Sequence, residues 1–275
     1  MALIRIEDIE SILPVFKGRT GNVLARLMMR ITGVDKLSEL YGRHEDLAGQ
    51  DFVHAFLKDL DLKYEVQGLE RLLPEILKGP FITVSNHPYG GLDGLILIDL
   101  FGGLREDYKV MANEFLSKVE ALEECFISVT PKTNDTKGIS PVSIVGLRRT
   151  LGHIKAGHPL GIFPSGAVSD LSIRDFCVRD REWQQSAAEL IRFLKVPVVP
   201  VRFFDRNSDW FYFLGLINWK LRTLRLPCEI LNKKGRTVRL GIGRIISVEE
   251  QSAVPKEDFA SMLRSSVFGI MPDNG

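Results

Sequence analysis

An α/β fold, a sheet flanked by helices, is what the sequence predicts, and three observations predict it. Short apolar runs rich in β-branched residues recur at Phe81 to Ser85, Leu160 to Phe163 and Val196 to Val201, with the length and composition of buried strands. Between them lie stretches with apolar residues at helical spacing, such as Ile144, Leu147, Leu151 and Ile154. The strands run into loops rich in glycine and proline, and strands that alternate with helices collect such loops at one edge of a sheet.

Taken in order, Thr20 is placed to cap a helix with Val23, Leu24, Leu27, Met28 and Ile31 on one face and Asn22, Arg26 and Arg30 on the other, ended by Gly33. Two readings are open for that face: it packs on the domain core, or it lies in a lipid interface with arginines toward head groups. Asp51 caps a helix with Val53, Phe56, Leu57 and Leu60 inward, and Leu62, Tyr64 and Val66 alternate as a strand. His44 and His54 show no suggestive partner and read as ordinary surface or packing residues. Lys109 to Ala112 and Cys125 to Val129 are strands, separated by a helical pattern around Phe115 to Leu122. The polar stretch Lys132 to Ser140 reads as a loop. Pro141 starts the helix whose stripe Ile144, Leu147, Leu151, Ile154 faces the sheet, with Arg148 and Arg149 outward and Gly157 at its end. Ser169 to Arg181, dense in Asp and Arg, reads as an exposed loop, and Trp183, Ala187, Leu190, Ile191 and Leu194 form a helical face. The prolines in Val196 to Val201 favour an edge or strongly bent strand lining an apolar cleft. From Trp210 to Trp219 aromatics crowd together, and a basic run from Lys220 to Arg244 follows with only Glu229 opposing it. Aromatics beside basic residues suit an anionic lipid surface. Asn232 to Gly235 reads as a turn between strands, Val238, Leu240 and Ile242 alternate in a strand, and Pro255 begins a helix with Phe259, Met262 and Leu263 on one side.

The 275 residues, 45% hydrophobic, suffice for one large domain and a small helical extension, with boundaries expected at 1–60 and 61–275. A formal net charge of +1 gives no reason to expect nucleic acid. Cys125, Cys177 and Cys228 are too scattered for a disulfide framework or a zinc site, which fits a reducing cytosol. The N-terminus lacks the features of a signal peptide, and no apolar run approaches the roughly 20 residues that span a bilayer.

The chemistry concentrates in Asn86-His87-Pro88-Tyr89-Gly90-Gly91-Leu92-Asp93, where the strand Phe81 to Ser85 ends. Proline and paired glycines bend this loop tightly and bring His87 and Asp93 within reach of each other. A carboxylate that holds one imidazole nitrogen fixes the tautomer and leaves the other nitrogen to take a proton from a hydroxyl. The alternative is structural: His87 caps the turn and Asp93 is the acid of a helix N-terminus.

Two later stretches, Gly161-Ile-Phe-Pro-Ser-Gly166 and Val196-Pro-Val-Val-Pro-Val201, complete an ordered set with the His87 loop. In these three blocks the sequence resembles the glycerolipid acyltransferase superfamily. It is similar more narrowly to the branch of hemolysin-like proteins and ornithine-lipid or glycine-lipid O-acyltransferases, through the Asn-His-Pro-x-Gly-Gly-x-Asp-Gly loop and a stretch like Leu226 to Arg236. The resemblance covers about residues 60–247. It implies a mixed, largely parallel sheet, His87 and Asp93 as the catalytic pair, and substrate contacts from Asn86, Gly90, Gly91, Phe163, Pro164, Ser165 and Gly166. Lys132 is an approximate counterpart of a family arginine that holds the acceptor. It implies an acyl carrier protein or coenzyme A thioester as donor, a lyso-lipid as acceptor, no metal or other cofactor, and a cytoplasmic protein peripheral on the inner face of the cell membrane. The loop between His87 and Asp93 is one residue longer than in most of the superfamily. Ser165 stands where the family often has Glu, and Ala167-Val168 where phospholipid enzymes have Thr-Arg, which favours a lyso-aminolipid over lysophosphatidate. Three other readings stay open: a lipid or thioester hydrolase with Ser165 as nucleophile, a non-catalytic lipid-binding protein, and a metal site of His87, Asp93 and His153 or His158.

Overall fold

The computed structural model describes residues 18–72, 74–113, 119–129 and 141–273. Seven strands form one sheet: β1 (Lys63–Gln67), β2 (Ile82–Ser85), β3 (Lys109–Asn113), β4 (Phe126–Val129), β5 (Leu160–Ile162), β8 (Val198–Phe203) and β9 (Thr237–Ile242). Their spatial order is β1-β9-β8-β2-β5-β3-β4, with β6 (Asp170–Ser172) and β7 (Cys177–Arg179) forming a separate antiparallel hairpin. Every neighbouring pair in the large sheet is parallel except β8 with β9. The expected mixed, largely parallel sheet flanked by helices is therefore the fold. The carboxyl ends of β2, β3, β4, β5 and β8 lie along one edge, where such sheets hold their ligands.

Helices cover both faces. On one side α2 (Val34–Gly42), α3 (Gly49–Asp59) and α5 (Gly91–Leu104) share an apolar cluster with Phe81, Val199, Val201, Leu240 and Ile242 of the sheet. On the other, α6 (Pro141–Lys155), α7 (Gln185–Leu194) and α11 (Lys256–Phe268) pack on Ile82, Val84, Leu160, Ile162 and Val198. The short helices α4 (Pro74–Lys78) and α10 (Val248–Ala253) join elements, while α1 (Gly18–Thr32), α8 (Asp209–Ile217) and α9 (Trp219–Leu231) lie outside these layers. Helix α5 is apolar on all sides and buried from Leu92 to Asp99, the pattern of a helix covered on every face. The sheet covers one of its sides and α3 another, with Phe52, Val53, Phe56 and Leu57 of α3 buried in the same cluster.

Several local expectations are corrected. Helix α3 starts after Ala48, with Asp51 in its first turn rather than at the cap. His44 and His54 do have carboxylate partners, Asp59 at 3.5 Å and Asp99 at 3.0 Å, neither legible from sequence separations this long. Part of the helix expected around Phe115 to Leu122 falls outside the described residues, and Glu120–Cys125 is a 3-10 turn. The Lys132 to Ser140 loop and the Thr20 side chain also lie outside them. Helix α6 buries Gly146, Thr150 and Ile154, leaving Ile144 and Leu147 exposed. The reason is close approach: a Cβ on Gly146 would collide with the Ser128 carbonyl, so the glycine, not the larger apolar residues, faces β4.

Strand β8 is interior, between β2 and β9, not an edge, and it does not line the cleft described below. Pro200 is tolerated because its carbonyl, and hence its missing N–H, points toward β9 where the ladder gives out: Gly243 N donates to Pro200 O, and regular pairing begins at Val201 with Ile242. Residues 169–181 carry the β6–β7 hairpin with buried ends, not an exposed loop. Asn232 to Gly235 joins helix α9 to β9 rather than two strands.

The apolar stripe of α1 faces outward. Val23, Leu24, Leu27 and Ile31 are exposed, while Gly21 and Ala25 are buried and α1 contacts α9. Trp210, Phe213, Ile217, Trp219, Leu221 and Leu224 of α8 and α9 are exposed as well, with Phe211 and Tyr212 buried. The basic run is partly spent internally: Arg222 and Lys233 are buried, Arg239 pairs with Asp205 at 2.7 Å and Arg244 with Glu250. Among the described residues no helix is long and apolar enough to cross a membrane.

Candidate active site

The site is built where β2 hands over to α5. Ser85 ends the strand, and Gly90 sits at φ 83°, ψ −129°, a conformation closed to residues with a side chain. This turn reverses the chain so that Asp93, in the first turn of α5, points back at His87. Nδ1 of His87 lies 2.9 Å from Oδ2 of Asp93. The same oxygen accepts the N–H groups of Tyr89 at 2.9 Å and Gly90 at 3.0 Å. One oxygen thus both caps the helix and faces the imidazole. The His87 contact is close but bent away from a linear hydrogen bond, a geometry that tightens in many sites only around the reacting substrate.

Asp93 is completely buried, and burial pushes its carboxyl above the usual range against the opposing pull of His87 and the two N–H groups. Its other oxygen, Oδ1, has no hydrogen-bond partner among the described residues. The imidazole of His87 rests against the Phe163 ring, centroids 4.2 Å apart, with 17% of its side chain exposed. That exposed part opens into a cleft of about 240 Å³. Gly90, Gly91, Phe163, Pro164 and Gly166 line the cleft beside His87, and Val110, Met111, Phe126, Val129, Ile162 and Leu190 make its walls apolar. Its polar lining beyond His87 comes from Asn113, Gln184 and Ser186, and no lysine or arginine is among the described lining residues.

The other residues singled out from the sequence are placed differently. Asn86 is buried away from the cleft, its amide clamping the backbone of Phe203 with Nδ2 to O at 2.9 Å and N to Oδ1 at 2.8 Å. This fastens the end of β2 to the end of β8. Ser165 is buried, donates its hydroxyl to Ala167 O at 2.9 Å and does not line the cleft. Its hydroxyl therefore lacks the histidine hydrogen bond that an activated serine needs, and the triad with His87 is not assembled. Lys132 lies outside the described residues. His153 bonds Pro159 O and His158 pairs with Asp107, and the described residues contain no group of three or more His, Cys, Asp or Glu able to hold a metal ion.

Sequence reasoning missed what holds the loop from behind. Asp180 accepts the His87 N–H, Tyr212 donates its hydroxyl to Pro88 O at 3.3 Å, and Asn207 Nδ2 lies 3.5 Å from Tyr89 O. Of these, Tyr212 was visible only as one of an aromatic crowd. Nothing in the spacing of Asp180 or Asn207 connects them to the loop.

A His–Asp pair at the mouth of an apolar cleft, on the carboxyl edge of a largely parallel sheet, is an arrangement able to do acid–base chemistry on an apolar substrate. Residues 10–268 match the sequence model of the family described as Acyltransferase; the chain belongs to this family, and it is an acyltransferase. Among curated proteins it is similar to the lyso-glycine lipid O-acyltransferase of Phocaeicola vulgatus, with 28% identity over 250 residues covering 87% of this chain and 85% of that protein. It is also similar to the lyso-glycine lipid O-acyltransferase of Bacteroides thetaiotaomicron, with 27% identity over 226 residues covering 80% and 79%.

Proposed function

We propose that the protein moves a fatty acyl group from an acyl carrier protein or coenzyme A thioester to the hydroxyl of a lyso-aminolipid of the glycine-lipid type. The observation that carries this reading is the 2.9 Å contact of His87 with buried Asp93 beside an apolar cleft. Asp93 holds the imidazole with Nδ1 toward itself, which leaves Nε2 to take the acceptor's hydroxyl proton. The alkoxide attacks the thioester carbonyl, the tetrahedral intermediate collapses with cleavage of the C–S bond, and the thiolate leaves with the proton returned by His87. The acyl chain lies along Val110, Met111, Phe126 and Ile162. The Gly90 and Gly166 N–H groups are spent on Asp93 Oδ2 and Phe163 O. The oxyanion is served by Gly91, which lines the cleft and whose N–H opens helix α5.

The glycine-lipid acceptor is supported by the two relatives. Ser165 and Ala167-Val168, in place of the family's Glu and the Thr-Arg of phospholipid enzymes, argue in the same direction, against a lysophosphatidate. The exposed stripe of α1 and the aromatics of α8 and α9 serve, in this reading, as the face that meets the inner leaflet of the cell membrane, chiefly through apolar contact. The test is an in vitro reaction with acyl-carrier-protein and coenzyme A thioesters and a lyso-glycine lipid, followed by mass spectrometry of the lipid. The diacylated product is expected with wild-type protein and not with His87→Ala. Free fatty acid with no acylated lipid, or full activity in the variant, would sink the proposal.

A further inference from the structure

His87 is held at four points, and two of them come from the segment that reads as an exposed charged loop. Its main-chain N–H donates to Oδ1 of Asp180 at 3.1 Å, and its carbonyl accepts the N–H of Ser169 at 2.9 Å. Ser169 and Asp180 flank the β6–β7 hairpin, so the hairpin closes around the backbone of the proposed base. Asp180 is 2% exposed, and its carboxylate also accepts the Ser169 hydroxyl on Oδ1 and the Trp183 indole N–H at 3.2 Å on Oδ2. The hairpin is anchored in turn by buried Arg222, which pairs with Asp170 and points toward Ser169 O at 3.4 Å.

We propose that Asp180 is a positioning residue for acyl transfer: it fixes the main chain of His87 so that the imidazole stands between Asp93 and the cleft. This rests on reading His87 as the base. The ring is confined on one edge by Asp93 and on one face by Phe163 at 4.2 Å, but both contacts act at the far end of the side chain. The Asp180 and Ser169 bonds act on its main chain itself. A buried carboxylate that receives three donors is rigid, because any rotation leaves a desolvated N–H or O–H unpaired. Without it the Cα drifts, and a displacement of about 1 Å at a reacting group costs on the order of 100-fold in rate.

The experiment compares Asp180→Ala with Trp183→Phe in the acyl-transfer assay, with melting temperatures alongside. Asp180→Ala removes the acceptor oxygen that holds the His87 N–H. We expect kcat to fall about 10- to 100-fold with KM for both substrates within about twofold. Trp183→Phe removes the donor on Oδ2 and leaves the His87 bond, so it is expected to lose thermal stability while keeping kcat within about threefold. Wild-type kcat in Asp180→Ala, or losses of kcat in the two variants that simply follow their melting temperatures, overturns the proposal. Should Asp180→Ala fail to fold, amide exchange of His87 in the wild-type protein decides: protection like that of the central strands supports the anchor, and exchange like that of a surface loop overturns it. Absence of acyl transfer in the wild-type protein would instead refute the function, leaving the exchange result to judge the anchor by itself.

Discussion

Replacing Asp93 by Asn separates its two duties. In the proposed mechanism the carboxylate stabilises the imidazolium that forms as His87 takes the proton, and in the structure it caps α5 through the N–H groups of Tyr89 and Gly90. At 2.9 Å and an effective dielectric constant of about 20, Coulomb attraction between the two charges is worth about 6 kcal/mol. Losing that at the transition state corresponds to on the order of 10⁴ in rate, and we expect kcat of Asp93→Asn to fall about 10³- to 10⁴-fold. An asparagine oxygen in the place of Oδ2 still accepts both N–H groups. The variant also avoids the cost of a fully buried charge, whose presence shows in the raised pKa of Asp93. The melting temperature is therefore expected to change far less than the rate. Thiol release from the acyl donor, followed with a chromogenic disulfide in the presence of acceptor, measures kcat, and calorimetry measures stability. A folded Asp93→Asn variant within tenfold of the wild-type kcat refutes the role assigned to the pair.

Other outcomes follow from the same geometry. Gly90→Ala forces a side chain into φ 83°, ψ −129° and places its Cβ 3.0 Å from Leu226 and 3.2 Å from Val168. A loss of about 2–3 kcal/mol in chemical denaturation is expected, together with loss of activity as Asp93 and His87 separate. Exchanging Trp210, Phe213 and Trp219 together for Ser should weaken sedimentation with phospholipid vesicles, while turnover of a detergent-dispersed acceptor stays near wild type. Equal vesicle binding by that variant would remove α8 and α9 from the proposed membrane-facing surface. Burial holds the pKa of His153 below its ordinary value while Nε2 bonds Pro159 O at 2.9 Å. The unfolded chain therefore takes this proton more readily, and stability is lost as pH falls through about 6.5 and below. Melting temperatures at pH 7.5 and 5.5 should show a smaller acid loss in His153→Gln, and an unchanged loss would assign the acid sensitivity elsewhere.

How much could be read in advance varied with the range of the interaction. The strands Ile82–Ser85, Lys109–Asn113 and Thr237–Ile242 were legible because a β-branched run or a two-residue alternation is a local signal. The neighbourhood of His87 and Asp93 was legible for the same reason, since only a tight Gly-Gly turn separates them. The α6 stripe was misjudged because helical periodicity shows that a face is apolar, not that it faces inward. The close approach to Ser128 demanded Gly146 there instead. Charge density made residues 169–181 look solvated, yet Asp180 is buried because its donors come from His87, Ser169 and Trp183.

By itself the sequence determined the main alternation of strands and helices and the loop that brings an imidazole to a carboxylate, both written in periodicity and in glycine and proline placed within a few residues of each other. Its three ordered blocks carried the resemblance to acyltransferases. Tertiary structure alone decided that β8 lies inside the sheet, that Asn86 and Ser165 turn away from the cleft while Phe163 stacks on His87, and that Asp180 grips the loop from 93 residues away. Those outcomes depend on which buried donor finds which acceptor once the sheet has assembled. Desolvation enforces that pairing across the whole chain, and local spacing carries no record of it.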